Sequence, residues 1–254
     1  MPEDERSHPP SSVGIARLPP LSDDRAIEVI AAGEMEILGR MPWSSNATFL
    51  AALTLGGDAT HAIYKPVRGE RQLWDFPRGL ARREVAAYVV SEALGWHLVP
   101  TTLLRHDAPL GEGSVQWFVW GDAQEHYFTL LEDERHHDRF RQLAAFDIVC
   151  NNTDRKSGHC LLRDDGTVWA IDNGLCFAVE PKLRTVIWDF CGDPIPLPWR
   201  DDLRRLALDP PEPLTRLLDD EELGAMCRRA SRLANAGCLP DIDPERRPYP
   251  WPLI

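Results

Sequence analysis

The sequence predicts an α+β chain folded in two lobes around a shared cleft, an antiparallel sheet with one helix followed by a mainly helical second lobe. Three observations predict it. Apolar strand segments joined by a tight glycine turn, Gly56-Gly57-Asp58, fill the first part. One segment, residues 80–94, places Leu80, Glu84, Ala87, Val90, Ser91 and Leu94 at helical spacing, with Gly95 as its stop. Beyond about residue 121 helical segments dominate, interrupted by a single hairpin. The organisation expected is a flexible tail over 1–22, a first lobe over 23–121 and a second over 122–254.

The tail is polar and rich in Pro and Ser. Residues 24–32 form a short helix, with Ser22 or Asp23 as its N-cap. Residues 36–39 read as a strand, 41–46 as a loop, 48–55 as an apolar strand and 61–65 as its return, ended by Pro66. A loop over 66–79 leads into the helix at 80–94, and strands follow at 98–104 and 115–120. In the second lobe, 134–149 is a helix with Phe140, Leu143, Ala144 and Ile148 on one side. Residues 151–158 form a polar loop, and 159–162 and 168–171 pair across Asp164-Asp165-Gly166. Residues 200–208 and 213–237 are mainly helical, and the proline-rich end packs as an extended tail. Trp43, Trp74, Trp117 and Trp120 serve mostly as packing residues.

The formal net charge of −12 opposes nucleic-acid phosphates and anionic lipid headgroups, so no nucleic-acid partner is expected. No apolar run is long enough to span a bilayer, and the N-terminus lacks the apolar region of a secretory signal. These features, with six cysteines and no CxxC pair, predict a cytoplasmic chain of reduced thiols without integral membrane association. The spacing of Cys150, Cys160 and His159 matches no zinc template.

Two segments carry the chemistry. The first runs from Phe146 through Asn151, Asn152, Thr153, Asp154 and Arg155 to His159; the second is Ala170-Ile171-Asp172-Asn173-Gly174-Leu175. A helix enters a polar loop bearing one aspartate, and a hairpin exits at another. Phosphoryl transfer needs such a pair: one carboxylate near the attacking hydroxyl, another holding Mg²⁺ against phosphates. Upstream, Lys65 sits in a strand and Glu84 in the following helix, the pairing that fixes an amine against nucleotide phosphates.

Asn152-Thr153-Asp154-Arg155 and Ile171-Asp172-Asn173-Gly174-Leu175 resemble the catalytic and metal loops of type II phosphatidylinositol 4-kinases. More distantly they resemble the phosphatidylinositol 3-/4-kinase-like and HipA-like atypical kinases. Tyr64-Lys65-Pro66 is similar to the nucleotide-binding lysine strand of that group, and the whole chain resembles an actinobacterial family remotely linked to it. The resemblance implies a two-lobed atypical protein-kinase-like fold and an ATP-dependent phosphotransferase using Mg²⁺, or Mn²⁺, with a hydroxyl acceptor. It makes Asp154 the catalytic aspartate, with Arg155 supporting its loop, and Asp172 the main metal ligand. Lys65 would contact the α/β-phosphates with Glu84 as partner, and Ser44, Ser45 and Asn46 would cover the phosphates. The segment 115–119, with Gln116, Phe118 and Val119, would line the adenine.

One position departs from the pattern. Those kinases carry an Asn five residues after the catalytic Asp, where this chain has His159. Imidazole suits Mg²⁺ poorly, which leaves His159 as an Mn²⁺ ligand, a proton-bearing phosphate contact or the mark of a lost metal. The alternatives to phosphoryl transfer are therefore a nucleotide-binding pseudokinase or scaffold, and an AMP-transferase on the same fold. The acceptor is left open among a protein hydroxyl, a small alcohol and a lipid headgroup.

Overall fold

The computed structural model describes residues 16–19, 21–42, 46–73, 76–122, 124–243 and 245–254. Most of the predicted tail, together with Trp43, Ser44, Ser45 and Trp74, lies outside these residues. Helix α1, Asp23–Ala32, starts at Ser22, whose hydroxyl accepts the Arg25 N–H at 3.3 Å. Strands β1 (Glu34–Arg40), β2 (Phe49–Leu55) and β3 (Asp58–Pro66) follow as antiparallel neighbours. Gly56 and Gly57 both take positive φ, 60° and 92°, which lets β2 and β3 join through a two-residue turn.

After helix α2 (Leu80–Ala93), strands β4 (Thr102–Arg105) and β5 (Gly113–Trp117) complete a five-stranded antiparallel sheet in the order β1-β2-β3-β5-β4. Alternation along β3 sends Ala62 and Tyr64 into an outer core with Val29 and Ile30 of α1, while Lys65 faces the opposite way, toward α2. The sheet thus carries the short helix expected at 24–32, as α1, on one face and α2 on the other.

The second part contains α3 (Tyr127–Leu130), α4 (His137–Cys150), the hairpin β6 (Cys160–Leu162) and β7 (Val168–Ala170), and helices α5 (Leu197–Leu208), α6 (Leu214–Leu217) and α7 (Asp220–Ala236). One large core joins α2 to α4, α5 and α7 through Val90, Leu94, Phe140, Leu143, Leu203 and Met226. The buried Arg83–Glu222 ion pair ties α2 to α7 as well. The α+β arrangement expected from the sequence, an antiparallel sheet followed by a mainly helical second part, is the one observed.

Two expectations about elements are corrected. Residues 98–101 are not strand: the Ser91 hydroxyl takes the Leu98 and Val99 N–H groups at 2.6 and 3.2 Å, and Pro100 has none to give. The strand expected at 115–120 ends at Trp117, leaving Phe118–Trp120 as the connection to the second lobe. The mainly helical stretch expected at 213–237 consists of α6 and α7, separated at Asp219, which caps α7 by accepting the Glu222 N–H at 2.8 Å. Helix α3 has no counterpart in the sequence pattern, because four residues are too few to show a period.

Only Cys150, Cys160 and Cys176 are core thiols; Cys191 and Cys227 are half-buried and Cys238 is exposed. All six are free, and burial pushes the Cys160 thiol up to about 12. Among the described residues no helix is long and apolar enough to cross a membrane. Two adjacent arginine pairs, Arg82-Arg83 and Arg204-Arg205, are largely neutralised: Arg82 faces Glu112 at 3.5 Å, Arg83 pairs with Glu222, Arg204 with Asp201 at 2.6 Å and Arg205 with Asp202 at 2.9 Å.

Candidate functional site

Helix α2 has no capping side chain of its own, because its first turn opens from Gly79 at φ 97°. The Glu70 carboxylate fills that need from the preceding loop, accepting the Gly79 and Ala81 N–H groups at 3.0 and 2.8 Å. The loop holding Glu70 is pinned in turn by Asn46, whose Oδ1 accepts the Arg71 N–H at 3.0 Å. This anchoring fixes the position of Glu84 one turn further on.

Lys65 Nζ donates to Glu84 Oε1 and, at 2.7 Å, to Asp172 Oδ1, so a strand, a helix and a loop from both lobes meet on one ammonium. The other Glu84 oxygen accepts the Asn173 N–H at 3.0 Å. Burial disfavours the Lys65 charge, but the Asp172 and Glu84 carboxylates outweigh it and hold the ammonium above its ordinary range. Burial raises Glu84, against the pull of Lys65. Asp172 is held well below the usual carboxylate range, first by the Lys65 charge. About half of its side chain, 52%, stays open to solvent.

Asp172 itself has φ 56°, a left-handed conformation that costs a non-glycine residue energy and aims the carboxylate back at Lys65. Gly174 packs closely beside it: a Cβ there would lie 3.2 Å from Glu84 Oε1 and 3.6 Å from the Leu80 Cβ.

Asp154 lines the same small cavity as Lys65, Glu84 and Asp172. Its backbone N–H bonds Asn152 Oδ1 at 2.9 Å, and its carboxylate faces Lys156 Nζ at 3.3 Å. Burial pushes its pKa up to about 6, against the Lys156 charge. His159 Nε2 lies 3.5 Å from Asp172 Oδ2. Its Nδ1 accepts the Lys156 N–H at 3.3 Å, which places the ring proton on Nε2, facing Asp172. Burial lowers the imidazole to about 4, so it is neutral at pH 7. In this tautomer His159 presents a donor, not a lone pair, toward Asp172.

Arg155 is wholly buried and meets no open surface. It forks onto Asp147 through Nε at 3.1 Å and Nη2 at 3.0 Å, and reaches Asn173 Oδ1 at 2.6 Å and the Ile171 carbonyl at 2.8 Å. Its place is therefore beneath the site, where it ties the Asp154 loop to the Asp172 loop. Asp147 also accepts from Asn152 Nδ2 and Thr185 Oγ1, each at 3.1 Å. Sequence reasoning gave no role to Asp147, Asn152 or Lys156. Asp147 had a readable signal, a carboxylate on the helix face of Phe140, Leu143 and Ala144, where only a paired charge survives burial.

At the connection between lobes, Phe118 N–H donates to the His61 carbonyl at 3.0 Å. Among the described residues the Val119 N–H and the Phe118 and Val119 carbonyls carry no protein hydrogen bond. The Gln116 side chain is engaged elsewhere, donating to Thr102 Oγ1 at 2.9 Å. The residues brought together are thus Lys65, Glu84, Asp154, Asp172 and His159, with Asn46 also lining the cavity; Phe118 and Val119 line a separate cavity with Leu18, His61 and Trp169.

Among the described residues no three His, Cys, Asp or Glu side chains are grouped to hold a metal alone. The donor set nonetheless suits Mg²⁺, which takes one or two carboxylates and fills its remaining positions with phosphate and water oxygens.

The chain thus brings a sheet lysine, a helix glutamate and two aspartate-bearing loops to one cavity. It belongs to the family of protein Rv2133c of Mycobacterium tuberculosis, with 42% identity over 264 aligned positions, 89% of this chain and 94% of that protein. No family model matches the chain. The crystal structure of the Helicobacter pylori proinflammatory kinase CtkA superimposes with a TM-score of 0.44 at 12% identity, covering 83% of this chain and 94% of that one.

Proposed function

We propose that the protein is an ATP-dependent phosphotransferase of the phosphatidylinositol 3-/4-kinase-like class that acts on a hydroxyl acceptor. The observation that carries this reading is the convergence of Lys65, Glu84, Asp172 and Asp154 on one cavity between the lobes. The free Val119 N–H and adjacent carbonyls match the ring-nitrogen acceptor and amino donor that adenine offers. Lys65 binds phosphate oxygens while Glu84 keeps it oriented. The acceptor hydroxyl attacks the γ-phosphorus, an oxygen–phosphorus bond forms, the bond to the β-phosphate bridging oxygen breaks, and ADP leaves. The acceptor proton passes to Asp154. Asp172, with Asp154 beside it, would hold Mg²⁺, which neutralises charge developing on the phosphates. His159 acts through its Nε2 proton on Asp172 or a phosphate oxygen.

The test is ATP consumption by the wild type against Asp172→Ala with Mg²⁺ and with Mn²⁺. A loss of a hundredfold or more in the variant supports the reading; equal rates remove Asp172 from the reaction.

A second reading, a nucleotide-binding pseudokinase, draws on the engagement of both Asp172 oxygens, one with Lys65 and one facing the His159 proton. It requires ATP to raise the melting temperature with no group transferred. Mass spectrometry of the products also separates phosphoryl from AMP transfer.

A further inference from the structure

Asp154 also lines a second cavity, of about 190 Å³, whose lining includes Lys156, Arg184, Arg247 and Trp251. Its wall is partly built by the C-terminal segment, which is tied to the Asp154 loop and its neighbour. The Leu253 carbonyl accepts the Ser157 N–H at 2.8 Å, and the Pro248 carbonyl accepts the Thr185 N–H at 3.0 Å and Trp188 Nε1 at 3.2 Å. These bonds hold the segment that contributes Arg247 and Trp251 to the lining.

The charge of this lining runs against that of the chain. Three cations, Lys156, Arg184 and Arg247, surround a single carboxylate in a protein of net charge −12. Lys156 pairs with Asp154, whereas the Arg184 and Arg247 guanidiniums have no hydrogen bond or ion pair among the described residues. Most other arginines of the chain are held by a carboxylate or a carbonyl, as Arg155, Arg139 and Arg229 are. Two free planar forks at one cavity form a receptor for an oxyanion, which guanidinium binds in a bidentate manner. The Trp251 indole, 77% exposed, offers an apolar face beside them.

We infer that this cavity is the acceptor site and that the acceptor is a small alcohol bearing a phosphate group, held by Arg184 and Arg247 so that its hydroxyl meets Asp154. The inference rests on the phosphotransferase reading for the role of Asp154, but the binding of an anionic alcohol can be measured without ATP. The same chemistry is carried by a free phosphomonoester and by a lipid headgroup.

Calorimetric titration of the full chain with glycerol 3-phosphate, with glycerol, and with phosphatidylcholine vesicles containing phosphatidylglycerol separates these sources. Binding of glycerol 3-phosphate but not glycerol supports a soluble acceptor; binding of the vesicles alone supports a lipid-borne one. Arg184→Gln and Arg247→Gln should each weaken whichever ligand binds by about tenfold, from the loss of a charged hydrogen bond, with Arg→Lys at either position recovering part of it. Circular dichroism melting confirms that each variant folds. No binding of any phosphate-bearing probe to the wild type, or binding unchanged in both Gln variants, overturns the inference. Arginine-dependent binding in a protein that transfers nothing from ATP would leave the anion site standing and remove the reaction.

Discussion

Replacing Arg155 by Met removes the guanidinium that joins the two aspartate loops, and its cost can be worked from the contacts it makes. Both partners of the Arg155–Asp147 pair are fully buried. The variant leaves the Asp147 carboxylate in the core with only Asn152 Nδ2 and Thr185 Oγ1, each at 3.1 Å, as donors. Breaking a buried pair from one side typically costs about 3–5 kcal/mol, since the surviving charge keeps its desolvation penalty. For a chain of this size each kcal/mol moves the midpoint by about 2–4 °C, so the melting temperature should fall by about 6–20 °C. Calorimetry, with calorimetric and van't Hoff enthalpies compared to check two-state behaviour, reads this directly.

The double variant Asp147→Leu/Arg155→Met supplies the control. It removes the orphaned charge, so it should melt well above the sum of the two single effects, though below wild type because Asn152 and Thr185 lose their acceptor. Additive single effects would refute the buried-knot account. So would an Arg155→Met midpoint within about 2 °C of wild type, the shift expected of an ordinary surface substitution.

Further expectations concern pH and packing. Asp154, raised to about 6 by burial, must be ionised to take the acceptor proton, so the transfer rate should climb as pH rises through about 6 and level above it. Its stability contribution has the opposite sense: the folded state binds the proton more tightly than the unfolded one, so stability falls as pH rises from about 4 to 6. His159, lowered to about 4, acts in reverse; the unfolded state takes the proton first, so stability is lost as pH falls from about 6.5 to 4. The two slopes oppose one another over one window, each worth about 3 kcal/mol at most. Asp154→Asn should therefore be inactive, more stable than wild type at pH 8 and steeply acid-sensitive; thermal melts from pH 4 to 8 check this, and a parallel profile for variant and wild type contradicts it. Gly174→Ala puts a Cβ 3.2 Å from Glu84 Oε1 and should lower stability by about 1–3 kcal/mol while weakening nucleotide binding, both readable by melting with and without ATP.

Much of this site was legible because its chemistry rides on regular elements. Lys65 and Glu84 could be placed from the period of a strand and of a helix, and Asp154 and Asp172 from the helix–loop–hairpin that separates them. Other parts were hidden by tertiary bonding. The Ser91 hydroxyl diverts Leu98 and Val99 from a strand that their side chains favour, and no local pattern announces it. Arg155 read as a loop arginine because its partner Asp147 sits two helical turns back, inside an otherwise apolar face. Gln116 lies in its expected strand but donates its amide to Thr102. Arg184, Arg247 and Trp251 come from segments distant in the chain and without a shared motif, so only folding shows that they line one cavity with Asp154.

Calorimetric titration of the wild type, Lys65→Met and Asp172→Asn with ATP and Mg²⁺ tests the central claim most directly. The account predicts one nucleotide per wild-type chain and an affinity at least tenfold weaker in each variant, consistent with losing one charged contact. A wild type that takes up no nucleotide, or variants that bind it as tightly as wild type, would contradict it.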